Sequence, residues 1–163
     1  MFGVAQIFEN RFFRGYFYRE GYIRTSSYEF NLSDLEDRDV HLTNDAVQDR
    51  NDQYGKYEPG NKISLKDFQQ YFQQETGADF QEVIYPKMKQ AIKDTLQAFQ
   101  EAIERIEIQK AKMNQQDECP KNSFELFGYD FMIDEDLKVY LIEVNTNPCL
   151  DTSPCSLLKR LIP

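Results

Sequence analysis

The chain has 163 residues, with 13 Phe, 10 Tyr, no Trp and 40% hydrophobic residues, enough apolar material for one domain with its own core. A formal net charge of −9 argues against nucleic acid and anionic membrane as partners. No apolar run approaches the length of a membrane span, and the aromatic segment after Met1 is broken by Glu9, Asn10 and Arg11, so neither a membrane anchor nor a signal peptide is expected.

Residues 1–15 read as a strand or an irregular lead-in. Residues 16–24, YFYREGYIR, read as a hairpin with Glu20 and Gly21 at its turn, closed by Arg24. A polar loop over 31–39 leads to a short strand over 40–44, VHLTN, and residues 45–61 form a second polar loop in which basic and aromatic residues alternate between Tyr54 and Asn61. Ser64, followed three residues later by Asp67, opens a helix whose buried face is Leu65, Phe68 and Phe72 and which Gly77 stops.

The longest helical signal spans 80–108. Met88, Ile92, Leu96, Phe99, Ile103 and Ile106 fall on one helical face, with Pro86 near the start. This helix is expected to pack behind a sheet and to carry no chemistry. Residues 110–123 read as a polar connection, and Ser156 begins a final helical segment. Cys119, Cys149 and Cys155 are an odd number, which fits free thiols in an intracellular protein. His41 is the only histidine and is expected to be structural.

Residues 124–150 are the stretch around which the rest of the chain is arranged. Phe124 to Ile133 and Val139 to Asn145 read as two strands joined by the acidic turn Asp134-Glu135-Asp136. The continuous apolar run Val139-Tyr140-Leu141-Ile142 suggests a strand covered on both faces. Simple alternation puts Glu143 and Asn145 on one face with Val139 and Leu141. A hairpin centred between Asp136 and Leu137 sets Asp130 opposite Glu143. Two carboxylates and an amide then converge at one end of the ribbon. From the pattern alone two accounts are open: a solvated sheet rim, or an oxygen-donor site of the kind Mg²⁺ takes.

The run Phe124-Glu125-Leu126-Phe127-Gly128-Tyr129-Asp130-Phe131-Met132, followed by Leu141-Ile142-Glu143-Val144-Asn145 and Pro148, resembles the C-terminal signature of the tubulin tyrosine ligase-like family. Gly21-Tyr22-Ile23-Arg24-Thr25-Ser26 and His41-Leu42-Thr43-Asn44 resemble two further blocks of that family. The resemblance implies an α+β fold: the C-terminal lobe of an ATP-grasp domain, mainly antiparallel sheet packed against helices, and incomplete here. It covers residues 16–163, after an unmatched lead-in over 1–15 that lacks the family's Lys-x-Asp-x-Arg strand.

The function that follows from the resemblance is ATP- and Mg²⁺-dependent ligation of an amino acid to a protein, tubulin in particular, through an acyl phosphate. By residue-for-residue carry-over, Asp130, Glu143 and Asn145 are the metal ligands, and Arg24, Thr43 and Asn44 bind nucleotide phosphate and the acyl phosphate. The expected partners are a tubulin tail and a free amino acid, in the cytoplasm, on the cytoskeleton or in a cilium. An acidic chain repels an acidic tail, so the basic docking surface is expected from elsewhere in the protein. The competing expectation is a non-catalytic family member that serves as a binding module.

Overall fold

The computed structural model describes residues 2–7, 13–113, 123–152 and 156–161. In chain order the first elements are β1 (Phe2–Ile7), β2 (Phe13–Phe17), β3 (Tyr22–Arg24), α1 (Arg38–His41) and α2 (Asp45–Gln48). A 3₁₀ turn (Pro59–Asn61), β4 (Lys62–Ser64), α3 (Leu65–Thr76), α4 (Phe80–Val83) and α5 (Tyr85–Lys112) follow. The last are β5 (Phe124–Ile133), β6 (Val139–Asn145) and α6 (Ser156–Leu161). The architecture is α+β, and the chain forms two compact units, each discontinuous in sequence.

The first unit comprises Met1–Arg19 and Ala78–Pro148. Its sheet is antiparallel throughout, in the order β2-β1-β5-β6. α5 covers one face. Ile92 of α5 is buried with Ala5, Phe127 and Tyr129, and Leu96, Phe17, Phe131 and Leu141 pack around them. Burying each large side chain of this set contributes about 2 kcal/mol. The aromatic rings interlock, with Phe99 edge-on to Phe127 at 5.7 Å and Phe17 edge-on to Tyr85 at 5.2 Å. The Tyr129 hydroxyl, carried into the core on a ring only 2% exposed, meets Thr95 Oγ1 at 3.0 Å, as a buried phenol must find a partner.

The second unit comprises Glu20–Gly77 and Cys149–Pro163. β3 and β4 pair antiparallel, with Tyr22 opposite Ser64 and Arg24 opposite Lys62. α3 follows β4 directly. Its Ser64 cap accepts from Asp67 N at 3.0 Å and donates back to Asp67 Oδ2, and Gly77 ends it at φ 71°, as the expected capping box and glycine stop require. Among the described residues of this unit, Val40, Leu65, Phe72, Leu158 and Leu161 are the buried apolar ones.

Several expectations are corrected. The hairpin over 16–24 does not form: β2 pairs with β1, and β3 pairs with β4. Phe17 is held in the first unit's core, while Gly21 O accepts from Leu65 N at 3.0 Å in the second. These tertiary partners outweigh the local turn. The strand expected over 40–44 is instead the end of helix α1, started by Asp37, whose carboxylate accepts from Asp39 N, followed by an extended link. Propensity in a five-residue run is a weak prior against such a cap.

The second polar loop contains α2 and the 3₁₀ turn. The long helix is split at Ile84 into α4 and α5 and runs on to Lys112, shortening the connection after it. Met88 and Ile92 are buried, whereas Ile106 is 50% exposed. Residues 8–12, 114–122 and 153–155, with Cys119 and Cys155, lie outside the described residues; Cys149 is a free, exposed thiol. No helix among the described residues is long and apolar enough to cross a membrane.

Candidate functional site

β5 and β6 form where expected, residue for residue. Their turn is fixed by Asp134, whose carboxylate accepts from Lys138 N at 2.8 Å and from the Tyr140 hydroxyl at 3.0 Å. These contacts, the Lys138 backbone N–H foremost, hold the Asp134 carboxyl below the ordinary carboxylate value. Next to the turn the register is Ile133 to Val139, Met132 to Tyr140 and Phe131 to Leu141; beyond it Asp130 faces Glu143, Tyr129 faces Val144 and Gly128 faces Asn145.

The register therefore shifts by one between Asp130 and Phe131, leaving Ile142 as an extra residue on β6. A β-bulge of this kind re-aims the side chains that follow it. Because Phe131 and Asp130 point to opposite faces, Leu141 and Glu143 do too. Glu143 and Asn145 thus do not share a face with Val139 and Leu141, contrary to simple alternation. Phe131 and Leu141 turn to the core under α5, and Asp130, Glu143 and Asn145 turn to the other face of the sheet.

β6 is also an edge strand with Tyr140 40% and Ile142 59% exposed, so within the first unit it is not covered on both faces. Glu143 is exposed, and Asp130 and Asn145 are half-buried. Asn145 Nδ2 donates to Glu143 Oε1 at 3.1 Å. Gly128 gives this corner its closeness: a Cβ there would stand 2.9 Å from Pro148 Cβ and 3.7 Å from Asn145 Cβ.

The donor set fits a hard divalent cation. Two carboxylates directly opposed across a strand pair repel, and the amide supplies a neutral third oxygen. Mg²⁺ takes one or two carboxylates and leaves its remaining positions to water and phosphate oxygens. Among the described residues no group of three or more His, Cys, Asp and Glu is arranged to hold a metal, so a cation here would rest on two carboxylates and an amide.

Arg24, Thr43 and Asn44 lie in the second unit. Arg24 ends β3, and its neighbour Thr25 donates to Asn61 O at 2.9 Å. Thr43 is half-buried and Asn44 exposed in the link between α1 and α2. Asn44 occupies the N-cap position of α2, yet its side chain makes no capping hydrogen bond; capping therefore does not account for it. His41 has Nε2 2.9 Å from Asp34 O and its ring edge-on to Phe30.

Four buried polar residues in this unit escape the sequence reading: Ser27, Gln48, Asn61 and Lys62, at most 4% exposed. Asn61, at φ 49°, accepts from Gly55 N and donates to Ser27 Oγ. Lys62 Nζ meets both oxygens of Asp45 at 2.6 and 2.7 Å and Gly60 O at 3.0 Å. The Pro59-Gly60-Asn61 turn was the only sequence signal near them; nothing marks a glutamine in a polar stretch as buried.

The family model for the tubulin-tyrosine ligase family matches residues 7–163. The chain is 37% identical over 141 residues to Tubulin glycylase 3B of Tetrahymena thermophila, covering 86% of this chain and 11% of that protein. It is 36% identical over 140 residues to Probable tubulin polyglutamylase TTLL9 of Bos taurus, covering 86% of this chain and 27% of that protein. It is 35% identical over 147 residues to Protein monoglycylase TTLL8 of Homo sapiens, covering 85% and 15%. The chain thus spans about a quarter or less of the length of each of these relatives, and it belongs to the tubulin-tyrosine ligase family.

Proposed function

We propose that this chain is part of an ATP- and Mg²⁺-dependent ligase of ATP-grasp type that joins an amino acid to a protein through an amide bond, with tubulin as the acceptor. The observation that carries this reading is the pairing of Asp130 with Glu143, beside Asn145, on the sheet face turned away from α5. Those three side chains would hold Mg²⁺. When bound, the ion would neutralise phosphate charge as a carboxylate is activated as an acyl phosphate.

The bulge at Ile142 keeps Glu143 opposite Asp130 while Leu141 stays in the core. Arg24 offers a planar fork suited to phosphate or carboxylate, and Thr43 and Asn44 offer short polar side chains that can donate to anionic oxygens. Glycylation and polyglutamylation are the activities in the relatives' names, which makes glycine and glutamate the amino acids to test first, ahead of tyrosine. Association with tubulin would place the protein on the cytoskeleton.

The test is incorporation of labelled glycine, glutamate or tyrosine into tubulin by the complete gene product. Incorporation is expected only with ATP and magnesium, and Asp130→Asn and Glu143→Gln should each abolish it. Full activity in both variants would remove the metal assignment. No incorporation of any of the three by the unsubstituted protein would leave the binding-module reading.

A further inference from the structure

Gln48 is 0% exposed, and its amide is fully bonded. Oε1 accepts from Ser27 N at 2.9 Å and Asn61 Nδ2 at 3.4 Å; Nε2 donates to Asp39 O at 2.8 Å and Leu42 O at 2.7 Å. Its backbone N also donates to Asn44 O at 3.0 Å. Gln48 therefore brackets Thr43, holding Leu42 by the side chain and Asn44 by the main chain.

The same amide reaches the other arm. Ser27 lies three residues beyond Arg24, and Ser26 Oγ shares the Asp39 carbonyl with Gln48 at 2.7 Å. Asn61 joins in, donating to Ser27 Oγ at 2.9 Å and accepting from Thr25 N at 2.9 Å. One side chain thus bridges the segment after Arg24 and the segment before Thr43.

We infer that Gln48 is a positioning residue, which sets the separation between Arg24 and the Thr43-Asn44 pair. The inference rests on the reading of those three as anion-binding groups. What all four bonds provide is a fixed geometry between the segment that follows β3 and the end of α1 with the link beyond it.

The test compares variants of the complete protein in the amino-acid incorporation assay. Gln48→Glu keeps the shape but turns an oxygen toward two carbonyls; Gln48→Met removes all four bonds. Both should lower kcat/KM roughly tenfold to a hundredfold. Phe72→Ala, a core change in the same unit, serves as the control: it should lower the melting temperature at least as far with kcat/KM retained.

Gln48→Met added to Thr43→Val should cost less than it does in the unsubstituted protein, because part of what Gln48 positions is already lost with Thr43. Additive losses, or Gln48 losses no larger than those of the control at matched stability, would overturn the inference. Unchanged activity in Arg24→Ala and Thr43→Val would overturn the anion-binding reading and this inference together. Losses in those two with none at Gln48 would overturn this inference alone.

Discussion

The ion pair between Lys62 and Asp45 predicts an asymmetry. The Lys62 side chain is 2% exposed and that of Asp45 44% exposed, with nitrogen and oxygen 2.6 Å apart. Removing the carboxylate leaves a buried ammonium with Gly60 O as its remaining acceptor among the described residues. Unit charges ~4 Å apart attract by about 4 kcal/mol at an effective dielectric near 20, and breaking a wholly buried pair costs about 3–5 kcal/mol. Because Asp45 is nearly half solvated, we halve this: Asp45→Ala should lose about 2 kcal/mol.

Lys62→Met behaves differently. It fills the buried space and leaves Asp45 to water and to the Tyr54 hydroxyl, 3.3 Å away, so it should lose about 1 kcal/mol or less. Asp45→Asn keeps an oxygen for Lys62 and Tyr54 and should fall between. The assay is urea unfolding at low salt and at half-molar salt. The reasoning is refuted if Lys62→Met costs as much as Asp45→Ala, or if the Asp45→Ala effect vanishes in salt as a surface pair's would.

Three further outcomes follow from the first unit. Burial pushes the Tyr129 phenol above its ordinary value, opposed by the bond to Thr95; the neutral form is the one folding favours, so this stability is present below the unfolded phenol value and lost as pH rises through the folded one. Tyr129→Phe should cost about 1 kcal/mol by denaturant unfolding at neutral pH and remove that alkaline loss. For Asp134 the sign reverses: its lowered carboxyl stabilises the hairpin above the unfolded carboxylate value, and that is lost as pH falls through the lower folded value. Amide exchange across β5 and β6 should show this acid opening, and Asp134→Ala should flatten it. Gly128→Ala should cost about 1–2 kcal/mol, because its Cβ meets Pro148 at 2.9 Å, and should weaken divalent-ion binding through Asn145; unchanged unfolding and ion affinity would refute it.

The hairpin was legible because aromatic and β-branched residues flank an acidic turn, and α3 because serine, aspartate and glycine stand at its two ends. The opposition of Asp130 and Glu143 was also read correctly, though by a register that fails nearer the turn. The residue count does not show that Ile142 bulges. The pairing of β3 with β4 is not legible, since the partner strand lies far along the chain, and β2 pairs with its preceding neighbour β1 rather than with β3 because Phe17 is buried in the first unit's core. Thr43 and Asn44 look like a strand end because five residues carry too little pattern to reveal a cap at Asp37. Gln48 and Lys62 look like solvated polar residues until Asp39, Leu42, Ser27, Asn61 and Asp45 close around them.

The assignment of Asp130, Glu143 and Asn145 as a cation site is tested most directly by manganese binding, read by electron paramagnetic resonance on the complete protein with a non-hydrolysable ATP analogue. Unsubstituted protein should bind the ion, and Asp130→Asn and Glu143→Gln should each weaken it on the order of tenfold to a hundredfold while melting as the unsubstituted protein does. Manganese held with undiminished affinity by both folded variants would place the ion elsewhere.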